Sequence, residues 1–399
     1  MIGPFETAGG PWAADGPAGA VVAAIVGGLL GRLLTWWVGR LLATGTCGAG
    51  PAFADRAVHR THHRWIEVAA IVAAVVLWWW EVRSLGQLPP LDGAGAFGGG
   101  PAAAPAALVA RWGTHVVLFF LLAAASWIDI RHRVIPDAIT VPGVLLGLLC
   151  VWAWPEVLLP VACEVPRSFA PPRLETDVLG LCGGLRSVGV PAWLGPRPHP
   201  GGLVAAVSVF AVWWLGCTAP FLDAAAAGPR RGWREPRNLL LACGLAAIAV
   251  AWGLGGDRFA ALQSSLAGMA VSGGIVWAVR VAASRALGRE AMGFGDVTLM
   301  TMVGAWVGWQ ACVLAFFLAA FIGLAHGVVQ LVAHRENELP YGPSLCLASA
   351  VVIVAWRPLW ALVGRQFAEP LELAAVVAVV VALTGLTLAV WRRWRESAG

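Results

Sequence analysis

Two acids in this chain stand where acids are costly. Asp296 closes the run Glu290-Ala-Met-Gly-Phe-Gly-Asp296, the polar mouth of a long apolar stretch. Asp129 lies far upstream, in Trp127-Ile-Asp-Ile-Arg-His-Arg-Val-Ile-Pro-Asp137, where another apolar run meets a basic loop. A carboxylate at the edge of lipid needs a reason. Two of them on one side can hold a water between them. One takes a proton from it while the other protonates or polarises a carbonyl. That is aspartic peptide hydrolysis, and it needs no metal or nucleotide. Separate roles at helix ends, or in an ion pathway, are the readings that spacing alone leaves open.

The local settings of the two acids differ. Asp129 ends an apolar helix and is followed by Arg131, His132 and Arg133. Pro136 suits the first turn of a new helix, and Asp137 suits the positively polarised end of that helix. Asp296 starts a helix behind Gly293 and Gly295, and glycines there allow close backbone approach or a positive φ. A helix N-terminus favours charge at Asp296, whereas a helix C-terminus opposes it at Asp129.

The elements that must position these acids are membrane helices. Of 399 residues 59% are hydrophobic and 12% charged, with a mean hydropathy of +0.76. A soluble domain carries about a quarter charged residues. The expected fold is therefore an all-α, polytopic transmembrane helix bundle of about 11 helices, one per ~20 apolar residues. Spans are expected at 18–43, 65–82, 107–129, 137–154, 202–222, 238–255, 259–284, 297–309, 311–333, 343–363 and 371–391, with a turn in Gly304-Ala-Trp-Val-Gly-Trp309. The basic residues are all Arg, and the net charge of +5 bears on orientation in the lipid bilayer, not on nucleic acid. With the N-terminus outside, Arg131, Arg133, Arg230, Arg231, Arg285, Arg289, Arg392 and Arg393 fall on inside segments, while the outside loops spread theirs over more chain. This asymmetry puts Asp129 and Asp296 on one cytoplasmic face. The segment 155–201 reads as an irregular external loop without strands. Its Cys163 and Cys182 would pair on an oxidising side, or stay free thiols.

The motifs resemble a known family. Asp129 with Pro136-Asp137 looks like its first motif. Gly288-Arg-Glu-Ala-Met-Gly-Phe-Gly-Asp296 looks like its second, and Leu339-Pro-Tyr-Gly-Pro343 its third. Three motifs in this order are similar to type IV prepilin peptidases, the GxGD membrane aspartyl proteases. The resemblance covers roughly 107–154 and 259–356. It implies Asp129 and Asp296 as the catalytic pair, and Gly293, Gly295, Asp137, Pro340, Gly342 and Pro343 as substrate-binding residues around them. It implies no cofactor and no metal at the site. The implied partners are prepilins or pseudopilins with a basic leader and a hydrophobic N-terminal helix. The implied location is the inner membrane of a bacterium, with the active site facing the cytoplasm. Glu290, Glu336 and Glu338 would attract the basic leader.

Two departures from the family stand out. Many members carry a zinc-binding segment with two C-x-x-C pairs between the first two helices, associated with N-methylation. Here that stretch is short and holds Cys47 alone, so methyltransferase activity is expected to be absent. The gap between the acids is also long, 167 positions (296 − 129). The expected organisation is an N-terminal membrane region (1–106), a first half of the peptidase core (107–154), an insertion with two extra helices (155–257), a second half (258–363) and an added helix with a basic tail (364–399). The rival readings are a GxGD protease with another membrane substrate, and a transporter or structural membrane protein whose acids serve an ion or assembly.

Overall fold

The computed structural model describes residues 17–43, 59–87, 105–163, 173–176, 199–226, 234–333, 341–368 and 370–398. The described chain is a helix bundle: α1 (Pro17–Ala43), α2 (His59–Trp78, continued by a π turn Trp79–Arg83), α3 (Pro105–His132), α4 (Asp137–Ala153), α5 (Pro200–Ala226), α6 (Arg234–Leu254), α7 (Gly256–Leu287), α8 (Phe294–Ala333), α9 (Gly342–Val354), α10 (Trp356–Val363) and α11 (Pro370–Ala398). Among the described residues seven helices are long and apolar enough to cross a membrane, and eight if the bent pair α9–α10 is one span. The chain is a multi-pass membrane protein. Helices suit lipid because each satisfies its own backbone polar groups.

A straight helix of the 40 residues of α8 would run about 60 Å, twice the ~30 Å hydrocarbon core. It is broken at Gly308, whose φ of 81° and ψ of 180° are non-helical. The break falls within the turn expected from the sequence. Tyr341 lines the same cleft as Asp296, yet its ring also lies against Gly323 of the second arm. Only a hairpin allows both contacts, because the 27 residues from 296 to 323 would extend about 40 Å if straight.

The core forms where small residues let helices touch. Gly268 of α7 and Gly304 of α8 face each other so closely that a methyl on either would strike the other's carbonyl. Beside them the Ser272 hydroxyl donates to the Met300 carbonyl at 2.8 Å. Small residues are the usual means of close packing in lipid, where apolar burial between helices gains little. Trp306 ties in α4 by donating to the Gly143 carbonyl at 2.9 Å. Gly27 and Gly31 of α1 seat against Ala70 and Glu67 of α2. Helix α11 runs beside α7, with Gly385 next to Ala282 and Arg392 donating to the Ala286 carbonyl at 3.3 Å.

Two expectations need correction. The single span expected over 343–363 is two helices that meet at 86°. Pro358 explains the bend: it has no N–H for the carbonyl of Val354 and its ring clashes there. The freed carbonyls find other donors. Trp80 donates its indole N–H to Val354 at 2.8 Å, and Gln87 donates its amide to Ile353 at 3.0 Å. The loop expected to lack strands holds a small antiparallel hairpin, β1 (Pro160–Cys163) with β2 (Arg173–Thr176). Four residues per strand are too few for alternation to register, and pairing satisfies their backbone groups. Cys182, and with it the Cys163–Cys182 pairing, lies outside the described residues.

The end of α3 remote from Asp129 carries a buried polar cluster. Glu81, Gln87, Arg111 and His115 are all at most 3% exposed. His115 Nδ1 lies 2.8 Å from the Glu81 carboxylate, and Gln87 donates to that carboxylate at 2.9 Å. This network joins α2, α3 and the bend after α9.

Candidate active site

The C-terminal end of α3 delivers the first acid. The helix closes when the Arg133 N–H donates to the Asp129 carbonyl at 2.8 Å, and Arg133 itself takes a left-handed φ of 56°. The chain then runs extended through Pro136 into α4. Asp129 is left 5% exposed among buried apolar neighbours.

The second acid arrives through a braced loop. Helix α7 ends at Gly288, which has a left-handed φ of 68° and donates to the Ser284 carbonyl at 2.9 Å. Arg280 then organises the residues that follow. Its Nη2 meets the Glu290 carboxylate at 2.6 Å, its Nε donates to the Met292 carbonyl at 3.0 Å, and its guanidinium lies over the Phe294 ring. The Ser284 hydroxyl accepts from the Ala291 N–H at 3.1 Å. Asp296 follows in the first turn of α8 and is 8% exposed.

The two glycines of the second motif do different work. Gly295 presses on the loop after α3, and a Cβ there would lie 3.0 Å from the Ile135 Cβ. Gly293 has nothing nearer than 3.9 Å, and neither glycine has a positive φ. The close approach that the sequence suggests for both is needed at Gly295.

The third motif spans the two acids. The Gly342 N–H, at the start of α9, donates to the Asp129 carboxylate. A methyl on Gly342 would lie 2.5 Å from Asp129 Oδ2. One residue earlier, Tyr341 shares the cleft with Asp296 and feels its charge. Pro343 occupies the first turn of α9, where a missing N–H costs nothing. Both carboxylates therefore face helix N-termini, Asp129 that of α9 and Asp296 that of its own helix. The asymmetry suggested by helix directions in the sequence does not hold in three dimensions.

Asp129 and Asp296 open onto one cleft of about 620 Å³, with Gly293, Gly295, Ile135 and Tyr341 in its lining. They are near enough for the charge of one to act on the other. Like charges so placed tend to share a proton, which is what an acid–base pair acting on water requires. Asp137 is not among the cleft residues. Its carboxylate meets the hydroxyls of Thr140 and Thr298, which ties the start of α4 to α8. Pro340, Glu336 and Glu338 lie outside the described residues. Glu290, expected to draw in a basic segment, is already held by Arg280. Among the described residues no three His, Cys, Asp or Glu side chains gather as a metal site.

Residues missed in the sequence are Arg280 and Ile135, while Tyr341 stood inside the third motif without a role of its own. Arg280 carried a signal, because an arginine inside an apolar span calls for a partner. Ile135 carried none, since its role is purely one of contact.

A family model described as the type IV leader peptidase family matches residues 116–164 and 236–328. The chain matches the type IV leader peptidase family. The two matched segments contain Asp129 and Asp296, and the leader peptidase match leaves out 165–235, where α5 lies. Three relatives are each named prepilin leader peptidase/N-methyltransferase. One from Stutzerimonas stutzeri is 35% identical over 99 residues, 24% of this chain and 34% of the relative. One from Burkholderia pseudomallei is 29% identical over 206 residues, 51% of this chain and 60% of the relative. One from Pseudomonas aeruginosa is 34% identical over 99 residues, again 24% and 34%. The chain thus spans between about a third and three-fifths of the length of these curated relatives. No solved structure matches.

Proposed function

We propose that this protein is an integral membrane aspartic endopeptidase that removes the short basic leader from type IV prepilins or pseudopilins. The observation that carries this reading is the meeting of Asp129 and Asp296 in one cleft, from segments 167 positions apart (296 − 129). One carboxylate takes a proton from water as the oxygen attacks the scissile carbonyl. The other polarises that carbonyl and later supplies the proton to the leaving amine. The leader passes the acids in extended form while the hydrophobic helix of the substrate stays in the bilayer. Gly293 and Gly295 line the path, and Gly342 and Pro343 border it at the start of α9.

The protein is read as resident in the bacterial inner membrane, with the cleft facing the cytoplasm. Arg133 and Arg289 in the cleft lining, with Arg131 and Arg285 close to them in sequence, support that orientation. N-Methylation is not carried over from the relatives' name, because the stretch between α1 and α2 offers Cys47 alone. The extra chain is read as 155–257; the part of it that the family match omits is 165–235, which includes α5. Replacement of either acid, Asp129→Asn or Asp296→Asn, tests the reading. Each should abolish leader removal on a mobility gel while leaving the protein in the membrane. Normal processing by both variants would end it.

A further inference from the structure

The chain contains one tyrosine, and the fold puts it at the acid cleft. The backbone of Tyr341 is pinned at the start of α9, its carbonyl accepting from the Ser344 and Leu345 N–H groups at 3.0 and 3.1 Å. Its ring is seated on α8, where Gly323 leaves room: a Cβ there would come within 3.2 Å of Cε2. The next residue, Gly342, donates to Asp129, so Tyr341 and Gly342 straddle the acid pair. Among the described residues the Tyr341 hydroxyl has no hydrogen-bond partner, although backbone and ring are both held. A rigidly placed donor with a free O–H at a reaction cleft is what a developing oxyanion needs.

We propose that the Tyr341 hydroxyl is a catalytic donor that hydrogen-bonds the scissile carbonyl oxygen as it gains charge. The inference rests on the aspartic peptidase reading above. In the step itself, the water oxygen bonds to the carbonyl carbon and its proton goes to one carboxylate. The carbonyl π pair moves onto oxygen, where the Tyr341 O–H donates without giving up its proton. When the intermediate collapses, the C–N bond breaks and the amine takes a proton from the other carboxyl. Tyrosine ends as it began. Burial, with the nearby charge of Asp296 adding to it, pushes the phenol up to about 12, so it keeps its proton at neutral pH and acts as donor, not base.

The test is Tyr341→Phe, which keeps the ring on Gly323 and removes only the O–H. The assay uses full-length protein in detergent micelles with a purified prepilin, beside Asp129→Asn and Asp296→Asn. The expected result is a fall in kcat of about 100-fold, with KM within about twofold and unchanged thermal unfolding. A native kcat in Tyr341→Phe with both Asn variants dead overturns this proposal alone. A loss that appears only in KM also overturns it, since that would make Tyr341 a binding residue. Normal cleavage by the Asn variants overturns the peptidase reading, and this assignment with it.

Discussion

Gly342→Ala tests the site with a single methyl group. The added Cβ would lie 2.5 Å from Asp129 Oδ2, 2.9 Å from Ile135 Cδ1 and 3.1 Å from Asp129 Cγ. Heavy atoms in contact settle near about 3.5 Å, so a retreat of about 1 Å is required (3.5 − 2.5). Ile135 cannot easily provide it, because it is 6% exposed and packed beneath Gly295. The carboxylate must therefore move, or α9 must lift and stretch its Gly342 N–H bond to Asp129. A misplacement of 1 Å at a reacting group costs about 100-fold in rate, or about 3 kcal/mol of barrier. The assay is leader removal from a prepilin in detergent micelles, with thermal unfolding measured on the same sample. The expected outcome is that kcat falls about 100-fold with little change in the unfolding temperature. The other glycines should follow their contacts: Gly295→Ala suffers next, against Ile135 at 3.0 Å, and Gly293→Ala least, with nothing nearer than 3.9 Å. A Gly342→Ala enzyme with native kcat, or one harmed less than Gly293→Ala, would refute the placement of α9 on Asp129.

Two further predictions concern groups remote from the chemistry. Arg280→Ala removes the brace on Glu290, Met292 and Phe294, and kcat/KM for leader removal should drop about 10-fold, since the loop ahead of Asp296 loses its register. Arg280→Lys should not restore it, because a lysine lacks the planar fork that reaches two partners at once; recovery by lysine would show that charge alone matters. At the end of α3 remote from Asp129, His115→Ala leaves the buried Glu81 carboxylate without its 2.8 Å neighbour. Thermal unfolding should report a loss of about 3 kcal/mol, partly recovered by adding Glu81→Gln, with cleavage by the folded fraction unaffected.

Hydropathy and motif order alone carried much of this protein. Apolar runs of membrane length had to be helices, because lipid offers backbone groups no other partners. The length of 297–333 demanded a turn, and the break occurs at Gly308 inside the glycine-containing stretch expected. Asp129 and Asp296 stood out because acids beside apolar runs are costly. What the sequence could not tell was partnership. Every membrane helix is apolar on most faces, so no periodicity says which helix lies against which. The tertiary structure decided that α9 starts on Asp129, which cancels the helix-end asymmetry between the acids. It decided that Pro358 bends the chain by 86°, and that Trp80 and Gln87 take up the carbonyls this frees. It also decided that Tyr341 stands beside Asp296. Each of these depends on atoms far apart in the chain meeting within a hydrogen bond or a van der Waals contact, and local residue pattern carries no record of such a meeting.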